Sequence, residues 1–348
     1  MLLYVLILAT LGGAVNFLLL RFLRTLGTKN QTADFQVRWS SQTKPTIGGV
    51  SFFIGFLVSM ICAFLFADQT TLMSIQIAAL GLSVVLAFLM GLADDAFNTK
   101  PWLKFVAQLF CGLVLFLGGV FIETGLGVFS DLLITVFWVV GLMNSVNMLD
   151  NMDGVTTVAV LPPLLLIWWL YPSSFIGWLS LGMLATLLGF LVLNWHPSKL
   201  YMGDSGSQLL GAFVAGVTIV FIWNHPTISG QFSKPQNWVL PVLVLFTPLC
   251  DTTLVTINRL RHKRSPFIGG RDHSTHNLSY LGMKDGSIAL AYFFWSFLNC
   301  MWAYFLLTYQ GEELFRLKWG TVIYLLVVFI SFFMVSRRNL QQGKYSYS

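Results

Sequence analysis

Charge is what this 348-residue chain has least of: Asp, Glu, Lys and Arg together make up 10% of it. A soluble domain carries roughly 25%, so an aqueous surface around the whole chain is excluded. Glutamate is confined to Glu123, Glu312 and Glu313. The four cysteines (Cys62, Cys111, Cys250 and Cys300) lie in apolar runs without paired spacing. That is not metal-like spacing, and they are expected to be small buried hydrophobes. No stretch ends in GK[ST], so there is no Walker A phosphate loop. Internal repeats, low-complexity segments and heptads are absent. The start "MLLYVLILAT" lacks a basic n-region and an obvious small-residue cleavage site, so it is expected to remain as a membrane helix rather than a signal peptide.

What is present is hydrophobic: 56% of the chain. A spanning helix needs about 20 mostly apolar residues. Eleven runs qualify, near 2–22, 47–67, 72–92, 102–122, 131–149, 155–171, 176–194, 208–223, 238–258, 288–308 and 317–336. The short connections leave no room for a soluble domain. The expected fold is therefore all-α, one polytopic integral-membrane domain over 1–348. With the N-terminus outside, 17 of the 20 Lys and Arg fall on the cytoplasmic side, leaving only Lys234, Arg316 and Lys318 outside. That bias follows the positive-inside rule. It predicts an N-out, C-in chain with cytoplasmic loops near 23–46, 93–101, 150–154, 195–207 and 259–287. The net charge of +6 then lines a membrane face, where lipid headgroups and phosphates are the expected partners rather than nucleic acid.

Acidic residues divide by side. Asp68, Glu123, Asp131, Glu312 and Glu313 fall outside, whereas Asp34, Asp94, Asp95, Asp150, Asp153, Asp204, Asp251, Asp272 and Asp285 gather at the cytoplasmic side. All nine are Asp, the short, stiff carboxylate that suits a hard cation such as Mg²⁺. In "GLADDAFNTK" (91–100), Asp94 and Asp95 close a helix at its C-terminal end, where the macrodipole disfavours carboxylates. Lys104 and Gln108, one turn apart at the next helix start, are expected to face the same mouth, with a snorkelling interface lysine as the competing reading. In "NSVNMLDNMDG" (144–154), Asn144, Asn147, Asp150 and Asp153 recur every third residue. Neighbours at that spacing share a helical face, able to bind a metal or to read a nucleotide. A polar helix–helix seam is the competing reading.

"YMGDSGS" (201–207) precedes the eighth run. Asp204 suits an N-cap there, yet the flanking glycines also permit a phosphate to approach the helix N-terminus. Tyr201 is either an interfacial aromatic or a stacking platform for a base. The loop over 259–287 holds Arg271, Asp272, His273 and His276. An Arg with His suits diphosphate, and no Cys or third His completes a zinc set. Asp251 lies roughly 10 Å inside the ninth run at 1.5 Å per residue, where an intramembrane acid is either a functional candidate or a hydrogen-bonded structural residue.

Five blocks in order carry a resemblance: "KPTIGGVSFF" (44–53), "GLADDAFNTKPWLKFVAQ" (91–108), "NSVNMLDNMDGV" (144–155), "YMGDSGS" and the Arg271–His273–His276 loop. Together they resemble the polyprenyl-phosphate N-acetylhexosamine-1-phosphate transferase family. That family includes bacterial initiators of O-antigen, common antigen and wall teichoic acid, and the peptidoglycan phospho-MurNAc-pentapeptide transferase. The resemblance implies transfer of a hexosamine-1-phosphate, GlcNAc-1-phosphate foremost, from a UDP-N-acetylhexosamine to undecaprenyl or another polyprenyl phosphate, releasing UMP.

It also implies catalytic roles for Asp94, Asp95, Asp204 and His273, with Asn147 and Asp204 holding Mg²⁺ or Mn²⁺. Substrate contacts fall to Lys104 at the lipid phosphate, to Asp150 and Asp153 near the nucleoside, and to Tyr201 at uracil. Asn144, Arg271, His276 and Asp251 complete the expected substrate set. Thr275 stands where a middle histidine is common, and the three-histidine run of the peptidoglycan enzyme is missing. The chain thus reads nearer the N-acetylhexosamine branch. Asp94 is expected to assist direct attack, with base, nucleophile and charge organiser left open, as is a homodimer. The alternatives are the MurNAc-pentapeptide substrate and, in another class, an ion-coupled transporter.

Overall fold

The computed structural model describes residues 2–22, 44–67, 74–224, 238–266, 269–309 and 313–346. Residues 23–43, most of the first expected cytoplasmic loop and including Asp34, lie outside the described residues. So do Asp68, Lys234 and Glu312.

All eleven apolar runs are helical, and no strand occurs among the described residues. The first four helices are α1 (Leu2–Phe22), α2 (Gly48–Phe66), α3 (Ser74–Phe97) and α4 (Pro101–Leu117). They are followed by α5 (Val128–Leu149), α6 (Val155–Leu170) and α7 (Phe175–Asn194). Next comes α8 (Gly203–Thr218), which runs on into a π-helical turn, Ile219–Trp223. After it come α9 (Val239–Val244), α10 (Phe246–Arg261), the short α11 (Ser274–Tyr280), α12 (Asp285–Thr308) and α13 (Leu314–Gln341). Eight of the described helices are long and apolar enough to cross a membrane, while α4 and α6 are shorter apolar helices. Leu3, Phe17, Phe137, Val192, Leu298 and Met334 are each more than half exposed. An apolar exterior of this extent needs lipid rather than water around it. The protein is an all-α, multi-pass membrane protein.

The ninth run departs from expectation. It is two helices, α9 and α10, with a jog at Leu245 (φ −108°, ψ 22°). Pro248 has no N–H to give Val244 one turn back, so the helical ladder breaks there. The eighth helix starts at Gly203 rather than near 208, which places Asp204 inside its first turn.

Helix α8 is the axle of the fold. It packs against α2, α3 and α5, and nearly all of it is buried. Alternating chain direction then brings the ends of α3, α5 and α10 and the starts of α4 and α8 to one end of the bundle.

Candidate functional site

Two adjacent aspartates on α3 point about 100° apart at 3.6 residues per turn, and they meet different partners. Asp95 accepts the backbone N–H groups of Asp204 (3.0 Å) and Ser205 (2.9 Å). It therefore caps α8 from a neighbouring helix, and Asp204 is not the N-cap. The positive end of the α8 dipole offsets the misplaced charge at the end of α3. Glycine makes this approach possible: a Cβ on Gly91 would collide with the Asp204 backbone, and Gly203 has φ +70°.

Asp94 turns toward α4. Thr99 donates to it at 2.7 Å and Lys104 Nζ lies 2.6 Å away. The same ammonium is 2.7 Å from Asp204, so one lysine bridges two carboxylates from two helices. Asn147 Nδ2 donates to the other Asp204 oxygen (2.9 Å) and to Ser207 Oγ (2.8 Å). Asp94 is only 2% exposed and sits behind Lys104, whereas Lys104, Asn147 and Asp204 line a cleft of about 1950 Å³.

The ridge expected from Asn144 to Asp153 divides. α5 ends at Leu149, so Asn144 and Asn147 stay on the helix while Asp150 becomes its C-cap. Asp150 and Tyr201 both line the cleft. Asp153 turns to the segment before α8, accepting from Ser198 N (2.9 Å), Ser198 Oγ (2.7 Å) and the His196 ring (3.1 Å). Lys44 lies 3.8 Å from Asp153 and 5.1 Å from the centre of the Tyr201 ring. Burial pushes the Asp153 carboxyl up, but the Ser198 hydrogen bonds, Lys44 and His196 outweigh it and hold the group below the usual range.

The histidine loop closes another wall. Asp251 is fully buried and accepts from the His273 ring (2.8 Å) and from the backbone and hydroxyl of Ser274. It does not line the cleft. This corrects the expectation of a substrate contact: both its oxygens are spent orienting the loop, leaving His273 Nε2 for the cleft that His273 lines. Arg271 is likewise displaced, exposed and off the cleft wall. The arginine at the wall is Arg259, which grips Asp272 through Nε (2.9 Å) and Nη2 (2.7 Å) and the Pro266 carbonyl through Nη1 (2.8 Å). His276 lies 5.5 Å from His273, ring to ring. Burial, aided by His273, pulls its imidazole down to about 3, so it enters the cleft as a neutral ring rather than a cation. Thr275 donates to the Asn151 amide oxygen.

Sequence spacing did not single out Gln208, Arg259 or Asp272 as functional. Gln208 carried a usable signal, since it lies one turn beyond Asp204. Beyond the polar mouth the cleft runs between the α9–α10 segment and α13, lined there by Val242, Phe246, Leu249, Leu325 and Phe329. Among the described residues, no three His, Cys, Asp or Glu side chains form a ready-made metal cluster. The mouth nonetheless fits a hard divalent ion, because Asp204, Asn147 and Ser207 offer oxygen donors and two carboxylates already share one cation. Mg²⁺ characteristically takes one or two carboxylates plus substrate phosphates.

Residues 77–222 match the profile of glycosyl transferase family 4. The probable undecaprenyl-phosphate N-acetylglucosaminyl 1-phosphate transferase of Bacillus subtilis is 25% identical over 277 residues, covering 74% of this chain and 72% of that protein. The decaprenyl-phosphate N-acetylglucosaminephosphotransferase of Mycobacterium tuberculosis is 28% identical over 287 residues, covering 72% and 69%. The phospho-N-acetylmuramoyl-pentapeptide-transferase of Limosilactobacillus fermentum is 33% identical over 223 residues, covering 58% of this chain and 68% of that one. The matched stretch carries the Asp94–Lys104–Asp204 cluster and both asparagines of α5, and the chain belongs to glycosyl transferase family 4.

Proposed function

We propose that this protein transfers an N-acetylhexosamine-1-phosphate, GlcNAc-1-phosphate foremost, from its UDP-sugar to a polyprenyl phosphate, releasing UMP. One observation carries the reading: Lys104, held between Asp94 and Asp204, stands at the head of a cleft that continues as an apolar groove. A reactant that is a phosphate at one end and hydrocarbon along its length suits that arrangement. The names of the relatives point the same way. The positive-inside bias supports a plasma-membrane protein with this mouth in the cytoplasm.

Both reactants are anions, so the task is largely one of charge. A phosphate monoester has its second pKa near 6, so the acceptor is mostly dianionic at neutral pH and needs no strong base. An acceptor oxygen attacks the β-phosphorus of the UDP-sugar. The new P–O bond forms as the bond from the β-phosphorus to the α,β-bridging oxygen breaks, and UMP leaves with that oxygen and the electron pair. Lys104 supplies positive charge to the entering phosphate, and preorganised charge of this kind is a large part of phosphoryl-transfer catalysis. Asp94, buried behind Lys104, positions that ammonium, which favours charge organiser over nucleophile. Asp95 fixes the α8 N-terminus and with it Asp204. His273, its ring set by Asp251, offers a nitrogen to the diphosphate from another wall, and Tyr201 and Asp150 flank the nucleoside. Asp204 and Asn147 would hold Mg²⁺, which when bound neutralises the diphosphate and the leaving UMP.

The test is UMP release by purified protein given Mg²⁺, undecaprenyl phosphate and a panel of UDP-sugars that includes UDP-MurNAc-pentapeptide. Release with UDP-GlcNAc, lost in Asp204→Asn, is expected. Silence with every sugar defeats the proposal, and release with the pentapeptide donor alone moves it to the peptidoglycan branch.

A further inference from the structure

One turn into the bundle from the charged cluster lies a second polar tier. Gln108 is four residues past Lys104 on α4, Gln208 four past Asp204 on α8, and Asn144 three before Asn147 on α5. All three line the cleft. Their amides form a chain whose direction is set at one end by a backbone carbonyl. Asn144 Nδ2 donates to the Val140 carbonyl (2.8 Å), and a carbonyl can only accept, so the Asn144 amide has one orientation. The same nitrogen donates to Gln108 Oε1 (2.8 Å). Gln108 Nε2 must then be the donor on its far side, facing Asn144 Oδ1 (3.3 Å) and Gln208 Oε1 (3.1 Å). Gln208 is left with its oxygen turned to Gln108 and its NH₂ turned away. That nitrogen has no hydrogen-bond partner among the described residues, although Gln208 is only 1% exposed. That NH₂ belongs to a residue lining the cleft that Lys104 enters, where an incoming oxygen can accept from it.

We infer that Gln208 Nε2 is a binding group for a phosphoryl oxygen, and that the three amides form a floor setting how deeply a phosphate enters. The inference rests on the proposed function for the identity of that phosphate. The acceptor's phosphate and the donor's diphosphate share this chemistry. The tier lies one turn deeper than Lys104, which the proposed function sets at the acceptor's phosphate, so the acceptor is assigned.

Two substitutions in the full-length, detergent-purified protein test it. Gln208→Leu removes the donor. Gln208→Glu keeps the size and the oxygen that Gln108 Nε2 uses, but sets a carboxylate against the phosphate. Binding of polyprenyl phosphate is read directly by native mass spectrometry without a donor sugar, and KM is then measured for each substrate. Melting temperatures near wild type establish that both variants are folded, and the Glu variant alone suffices if the Leu variant is not. Loss of a hydrogen bond to a charged group is expected to weaken polyprenyl-phosphate binding about tenfold or more, with a larger loss for Glu. KM for the UDP-sugar is expected to stay within about twofold. Unchanged acceptor binding in a folded variant overturns the inference, as does a rise confined to the UDP-sugar KM, which would hand the amide to the donor. Wild-type protein that binds the lipid but releases no UMP from any sugar defeats the proposed function while leaving the binding result to judge the floor.

Discussion

Replacing Asp272 by Asn isolates what holds the histidine loop. Arg259 and Asp272 are both buried, at 5% and 2% exposure, and share two hydrogen bonds of 2.9 and 2.7 Å. An amide of the same shape leaves one oxygen to accept from the guanidinium and points an NH₂ at the rest. The arginine charge then stays buried without a counter-charge, which costs about 3–5 kcal/mol where one partner of a buried pair is removed. Removing both charges avoids that penalty, so Arg259→Met/Asp272→Leu is expected within about 1 kcal/mol of wild type or above it. Reversible unfolding in detergent, followed by tryptophan fluorescence and circular dichroism on wild type, Arg259→Met, Asp272→Leu and the double variant, gives the coupling directly, with Asp272→Asn measured beside them. Turnover adds a second reading, because His273 follows Asp272 and loses its place when the loop does. A cost below about 1 kcal/mol for Asp272→Asn is the range of an exposed ion pair. That result would refute the claim that this pair anchors the loop.

Asp95→Ala removes the acceptor of two backbone N–H groups at the start of α8 and is expected to cost about 1–3 kcal/mol in thermal unfolding. Asp204→Asn should instead abolish UMP release while moving stability by less than about 1 kcal/mol, since it stands at the mouth rather than in a cap. Gly91→Ala drives a Cβ into the Asp204 backbone, so about 1–3 kcal/mol of overpacking and a fall in kcat are expected together. For His276, the folded pKa near 3 lies below the unfolded value of about 6.5, so the unfolded chain takes up the proton first. Its stability contribution is complete above pH 6.5 and falls by about 1.4 kcal/mol per pH unit as pH drops toward 3. Denaturant titrations across that window should show the slope in wild type and lose it in His276→Gln.

Hydropathy alone located the apolar helices, eight of them among the described residues long and apolar enough to cross a membrane, because lipid demands about 20 apolar residues per crossing and a backbone bonded within its own segment. The same economy of charge made Asp94, Lys104, Asn147 and Asp204 conspicuous, and the structure brings those four into one cluster. Sequence spacing could not separate Asp94 from Asp95. Both are acids at one helix end, and only the packing of α8 against α3 makes one a cap and the other a partner for lysine. It could not show that Asp251 orients His273, since the two lie 22 positions apart in the chain and meet through the return of the loop. Nor could it end the Asn144–Asp153 ridge at Leu149, split the ninth helix at Leu245, or choose Arg259 over Arg271 for the cleft wall. Composition and periodicity are local, so they determined that the chain lies in a membrane and which residues were candidates for its charged mouth. Which oxygen faces which nitrogen depends on how neighbouring helices pack, and only the tertiary structure decided that.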